Sequence, residues 1–392
     1  MQTMIIKKAD IERAKQTSSF TTYDSMLVKG VAIVLLMFHH CISMNQVEKH
    51  TMNFFPFESY HWPVMVCDSF KLCVGMFVFI TGYGLYKSFS KIDLKNRAVF
   101  NWTGTRLFKT LSGFWIVYIL VFVVTYLVDK RPLTIYVTGP TKMEGSWIYA
   151  IIDFLGLAKI ADTPSLIGTW WYMSAVVIMI IFFPLLYAMG EKFSYFITVF
   201  AMILLPRIIG QGFPGTKNVF SFVLVFIFGM VFAKHDLFAK LDKFTLFKKS
   251  KLLSDIVLFF VYMLAFFLIV YLTDKIGRKY LWEFNYSIAP LIVILFCNRY
   301  LKRIPVLNRG LMYIGNHSLN IFLIHTFIRY EYLNDFTYSF KYALLIPFVL
   351  LAISFALSVV VELFKKLIRY DKLVSKVIGK LFSDKNKKLE QS

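Results

Sequence analysis

The sequence predicts an all-α, polytopic integral membrane protein of about ten transmembrane helices, with both termini in the cytoplasm. Three observations carry this. Of 392 residues, 58% are hydrophobic and 18% aromatic, against roughly 45–50% apolar in a soluble domain, and the mean hydropathy is +0.62. Runs of about 20 apolar residues, the length a helix needs to cross a bilayer, recur along the whole chain. Lys and Arg gather in alternate connections: 31 of the 44 lie on the side of the N-terminus and 12 on the other, with Lys71 inside the second run. Cytoplasmic loops carry such an excess.

Windows of about 19 residues place spans near 26–44, 64–86, 111–128, 170–189, 193–210, 217–234, 254–273, 284–301, 311–329 and 342–364. The alternating pattern of a barrel strand is absent, so the spans are helices. Forty-two Phe and 22 Tyr against 11 Pro and 19 Gly exclude a disordered or fibrous chain. The segment 145–160 is too short to span and reads as interfacial. Three parts follow: a cytoplasmic N-terminal segment at 1–25, a membrane domain at 26–364, and a basic amphipathic tail at 365–392, expected to lie on an anionic leaflet. Residues 1–22 lack the apolar core of a signal peptide, so the first span is expected to stay in the protein.

The net charge of +21 does not indicate nucleic acid, because the basic residues lie between apolar runs rather than in one patch. Cys41, Cys67, Cys73 and Cys297 sit in or beside apolar runs without CxxC spacing. They read as buried apolar residues, with no metal site and no disulfide framework.

The chemistry concentrates in "KGVAIVLLMFHH", Lys29 to His40. Each helical residue advances about 100° and 1.5 Å, so His40 lies within about 20° of the Lys29 direction and roughly 16 Å deeper, near mid-membrane, while His39 points about 80° away. Ionisable groups at such depth are costly and mark functional sites.

This stretch resembles the first span of the acyltransferase-3 family, membrane enzymes that O-acylate extracytoplasmic glycans, where a basic residue precedes a His by eleven positions. Four more stretches match in order. "CVGMFVFITGYGLYKS", Cys73 to Ser88, is similar to the second-span motif, with Thr81 in place of Ser. "RLFK", Arg106 to Lys109, stands where the family has Arg-x-x-Arg. "TWWYMSAVVIMIIFFP", Thr169 to Pro184, resembles the Trp-rich opening of a span ending in Pro. "GNHSLNIFLIH", Gly315 to His325, resembles a late Ser-x-x-aliphatic-aromatic-Leu-x-His pattern. Lys replaces Arg at Lys29 and Lys109, which keeps the charge but binds phosphate as a point charge rather than a planar fork.

The resemblance implies a membrane O-acyltransferase, in the first instance an O-acetyltransferase, of the bacterial cytoplasmic membrane. It uses acetyl-CoA or another acyl-CoA as donor substrate, with no bound cofactor, and a glycan or lipid-linked sugar as acceptor. Its other partners are membrane lipids. His40 and His325 are the catalytic candidates. His40 serves either as general base or as transient acyl acceptor, and His325 orients the acceptor or the catalytic His. Lys29 at the cytoplasmic end of the first span, with Arg106 and Lys109 in a basic connection that also holds Lys87, Lys91, Lys95 and Arg97, are candidates for the donor phosphates. His39 and Ser318 stand as neighbours of the catalytic histidines. Asp68, Lys71, Trp170 and Trp171 face the acceptor side, Asp68 and Lys71 first as a neutralising pair and the tryptophans also as interfacial anchors. The long segment 129–169 is the expected acceptor platform. Two other classes compete. A glycan transporter or flippase also uses intramembrane His, Lys and Asp, but the pseudo-symmetric halves of such proteins are not apparent. A pH sensor has only the histidine pair in its favour.

Overall fold

A bilayer leaves no water for backbone groups, so each crossing segment must close its hydrogen bonds within itself. The computed structural model accordingly is helical, and describes residues 20–139, 144–208, 218–277 and 284–382. Its principal helices are α1 (Thr22–Cys41), α2 (His61–Ser69), α3 (Cys73–Phe89), α4 (Asn96–Asp129), α5 (Ile148–Phe154), α6 (Trp171–Phe193), α7 (Tyr195–Ile208) and α8 (Val223–His235). The second half adds α9 (Lys251–Ile276), α10 (Ala289–Arg299), α11 (Pro305–Asn316), α12 (Ser318–Thr326), α13 (Ile346–Leu367) and α14 (Tyr370–Leu381).

Among the described residues seven helices are long and apolar enough to cross a membrane: α1, α2 with α3, α4, α6, α9, α10 with its flanking turns, and α13. The other three predicted spans differ. Those at 193–210 and 217–234 coincide with shorter apolar helices, Tyr195–Leu204 and Val219–His235, and positions 209, 210 and 217 lie outside the described residues. The one at 311–329 is divided between α11, α12 and a π-helical turn, Phe327–Tyr332. The interfacial segment forms the seven-residue α5. Of the predicted terminal segments, 1–19 and 383–392 lie outside the described residues.

Local chemistry fixes where helices begin. Thr21 caps α1 by accepting from the Asp24 amide at 3.3 Å, while the Asp24 carboxylate accepts from the Thr21 amide at 2.7 Å. That carboxylate also meets Lys302 at 2.9 Å, anchoring α1 to the turn before α11. Ser250 caps α9 through the Leu253 amide at 3.2 Å, and Pro305 opens α11, where its missing N–H costs nothing.

Glycine sets the closest crossings, as small residues do where lipid gives no hydrophobic drive to helix pairing. Gly30 of α1 packs on the Leu311 carbonyl, and Gly315 of α11 on the Met26 carbonyl. Gly82 of α3 packs on the Phe226 carbonyl, and Gly229 of α8 on the Phe79 carbonyl. Each pair is reciprocal, so neither helix can rotate or slide without a backbone clash.

The amphipathic tail does not lie free. Tyr370 at the start of α14 meets Ser112 of α4 at 2.8 Å, and the Phe382 ring lies over Gly104.

Gly229→Val and Gly315→Val place side-chain carbons on a carbonyl. We expect each to cost about 1–3 kcal/mol, lowering the thermal midpoint in detergent by several degrees. Gly84→Ala, where a Cβ meets nothing within 4 Å, is the matched control and should leave the midpoint unchanged.

Candidate active site

The sequence brings three imidazoles together. His39 and His40 occupy the last turn of α1, which ends at Cys41. His40 therefore stands at a helix end rather than at mid-helix, because α1 begins at Thr22 and finishes one residue after it. His325 lies one residue before the end of α12. The His40 and His325 ring centroids are 5.0 Å apart, and those of His39 and His40 5.2 Å.

The three rings differ in freedom. His325 is fully buried, and its Nδ1 donates to the Phe322 carbonyl at 2.8 Å and the Ile321 carbonyl at 3.2 Å. Carbonyls only accept, so Nδ1 carries the hydrogen, and Nε2 accepts from the Thr326 hydroxyl at 3.1 Å. His39 donates from Nδ1 to the Cys67 carbonyl at 3.2 Å, which ties it to α2. His40 is half-buried and has no hydrogen-bond partner among the described residues. It is the ring free to meet a substrate.

The second predicted span is broken beside this site. A 3-10 turn, Phe70–Leu72, separates α2 from α3 and carries Lys71, within electrostatic range of His40. Such mid-span interruptions accompany functional sites. Asp68 precedes the turn, next to Cys67.

The predicted donor residues lie elsewhere. Lys29 sits on α1, eleven residues before His40, half-buried. Arg106 rests over the Trp102 ring at 5.7 Å, and Lys109 is exposed on α4. Among the described residues none of these three side chains forms an ion pair or a hydrogen bond. Ser318 opens α12, seven residues from His325 and so roughly 10 Å away along the axis; it does not touch the imidazoles.

Trp170 is 2% exposed, its indole donating to the Leu323 carbonyl at 3.1 Å and its ring packed on Phe114, Tyr118 and Phe327. It braces the helix that carries His325, and no sugar ring can reach it there. Trp171 is half-buried against Phe222. The predicted platform, apart from residues 140–143, which lie outside the described residues, is latched to the turn beyond His325. Arg131 grips Glu331 at 2.7 and 2.8 Å, and Tyr332 donates to Asp129 at 3.0 Å. Within it, buried Asp153 accepts from Tyr136 at 2.7 Å, the Leu166 amide at 2.8 Å and Ser165 at 2.9 Å. Beside the site a cavity of about 770 Å³ opens between the end of α1 and α2, lined by Phe38, Ile42, Phe54, Trp62, Cys67 and Phe70.

Sequence reasoning missed Arg329. It sits one turn past His325 in the π-helical segment, is 7% exposed, and acts electrostatically on His40, His325 and Cys41. The only signal available was its position four residues after His325, and at the predicted end of a span it read as a loop charge.

A family profile described as an acyltransferase domain matches residues 23–363, nearly the whole described chain. The chain belongs to the acyltransferase-3 family. Comparison with curated proteins and with solved structures finds no match. Membership makes the protein a multi-pass membrane acyltransferase, and the first and last of the five acyltransferase-3 stretches, on α1 and on the end of α11 with α12, are those whose histidines, His40 and His325, meet.

Burial raises the Asp153 carboxyl to about 6, only partly offset by its three donors. A raised acid pKa means the folded state holds the proton more tightly than the unfolded chain, so stability should fall as pH rises from about 4 to about 6 and then level off. Thermal midpoints across pH 3.5–7.5 should lose this component in Asp153→Asn, and an unchanged profile contradicts the assignment.

Proposed function

We propose that this acyltransferase moves an acetyl group from cytoplasmic acetyl-CoA to a hydroxyl of an extracytoplasmic or lipid-linked glycan, with the Thr22 end of α1 facing the cytoplasm and its Cys41 end facing outward. The reading rests on one observation above all: a half-buried imidazole without a protein partner, His40, lies 5.0 Å from a fully buried one, His325. Two ordinary packing histidines would each find a hydrogen-bond partner, as His325 and His39 do.

In this reading His40 is the general base. It takes the acceptor hydroxyl proton as the oxygen attacks the thioester carbonyl carbon, then returns it to the departing thiolate of coenzyme A. His325, clamped by two carbonyls, supplies a fixed wall that sets the His40 ring. The unpaired charges of Lys29, Arg106 and Lys109 receive the donor phosphates, and the excess of Lys and Arg at that end supports a cytoplasmic entry in a bacterial cytoplasmic membrane. At the other end Lys71 and Asp68 adjoin the acceptor, and the aromatic cavity beside Cys67 suits the lipid part of a lipid-linked sugar. Trp171 is the remaining aromatic candidate on that side.

The test is purified protein in nanodiscs with radiolabelled acetyl-CoA and polysaccharide or lipid-linked sugar acceptors. Wild type should transfer label. His40→Ala should lose roughly 10²–10⁴ in kcat with expression intact. Arg106→Ala should raise the donor KM about tenfold with kcat nearly unchanged, as removal of a charge-assisted contact predicts. Wild type that neither binds nor turns over any acyl-CoA, while vesicles carrying it move glycan across the bilayer, overturns the reading in favour of transport.

A further inference from the structure

Arg329 presents a contradiction in a low-dielectric body: a permanent charge, 7% exposed, whose Nε and Nη1 are buried without any hydrogen-bond partner. Among the described residues no carboxylate pairs with it, although Arg131, Arg299 and Lys365 each have one. Leaving a buried guanidinium unpaired is strongly unfavourable. It acts electrostatically on the catalytic candidates His40 and His325 and on Cys41, and its side chain meets a polar group, the Tyr338 hydroxyl, which itself donates to the Cys41 carbonyl at 3.3 Å. The backbone that carries it is held by Asn334, whose amide donates to the Arg329 carbonyl at 2.9 Å. The segment that carries the charge is thus held in place, within electrostatic range of both imidazoles.

The geometry points to Arg329 as the oxyanion-stabilising catalytic residue of the transfer, donating to the acyl carbonyl oxygen as it becomes tetrahedral. This rests on the proposed acyl transfer and adds a step to it. When the acceptor oxygen bonds to the carbonyl carbon, the C=O π pair moves onto oxygen, and the hydroxyl proton passes to His40. The negative oxygen then accepts from the Nε and Nη1 hydrogens of Arg329 that lack a partner. Collapse restores C=O, breaks the C–S bond and releases the thiolate, which takes the proton from His40. The charge develops only in the transition state and intermediate, so the guanidinium contributes to kcat rather than to donor binding.

The experiment measures initial rates of acetyl transfer in nanodiscs for wild type, Arg329→Lys and Arg329→Ala, alongside acetyl-CoA affinity by equilibrium binding. We expect Arg329→Ala to lose roughly 10²–10³ in kcat, with donor affinity within twofold of wild type, which also certifies the fold. Arg329→Lys should recover part of the rate, and methylguanidinium should restore part of it to Arg329→Ala. Equal kcat in wild type and Arg329→Ala overturns the role. So does a variant whose acceptor KM rises only for anionic acceptors while kcat is kept, because the cation then binds an acid on the acceptor. Loss of donor binding in both variants assigns Arg329 to packing and overturns the role as well. A wild type that transfers no acyl group removes the underlying reading, an outcome distinct from all of these.

Discussion

The site depends on a single backbone contact. Gly30 and Gly315 let α1 and α11 touch main chain to main chain, Gly30 on the Leu311 carbonyl and Gly315 on the Met26 carbonyl. From that contact His40 is ten residues along one chain and His325 ten residues along the other. Ten residues of helix rise about 15 Å, so two segments running in the same direction from a shared crossing deliver the two histidines to the same height. Any side chain at either glycine would move the crossing and break that register. The constraint also explains why His325 tolerates full burial: with its position fixed, α12 satisfies its Nδ1 from its own last turn.

Charge follows a consistent division through the bundle. Asp24 with Lys302, Asp255 with Arg299 and Arg303, Glu362 with Lys365 and Asn320, and Glu331 with Arg131 are closed pairs or networks. They fasten one element to another, and their value lies in geometry more than in net stability, since desolvation offsets much of the attraction. Lys29, Arg106 and Arg329 stand apart. Among the described residues none of these three has a carboxylate partner, and they are the cations the proposed reaction uses.

Much of the fold was legible because hydropathy reports burial in lipid directly. The span positions, the short interfacial α5 and the eleven-residue spacing of Lys29 and His40 all came from patterns local to one helix. What failed was whatever depends on two segments at once. Trp170 has the composition of an interfacial anchor, yet Phe114, Tyr118 and Phe327 enclose it, and only the tertiary fold decides that. Ser318 matched a motif but stands two turns below the histidine it seemed to serve. Hydropathy predicts one continuous ninth span, because it is blind to the break at His317 and to the π-helical turn. Arg329 was missed for the same reason: whether a cation at a span end faces water or a buried imidazole is set by the turn that carries it.

That turn links the two halves of the site. A π-helical segment widens the helix by one residue per turn, which swings Arg329 away from the position a regular α12 would give it. The same six residues hold Glu331 and Tyr332, which Arg131 and Asp129 clasp from the segment beyond α4. The connection beyond α4 therefore holds the element that carries the guanidinium, while Trp170 braces the preceding turn through the Leu323 carbonyl. Polar groups far apart in sequence, Asp129 at the end of α4, Arg131 just beyond it and Trp170 in the turn before α6, converge on α12 and the short irregular stretch after it. Irregular backbone is tolerated at membrane depth only where protein encloses it, and here the enclosing groups are the ones that fix its charge beside the free imidazole.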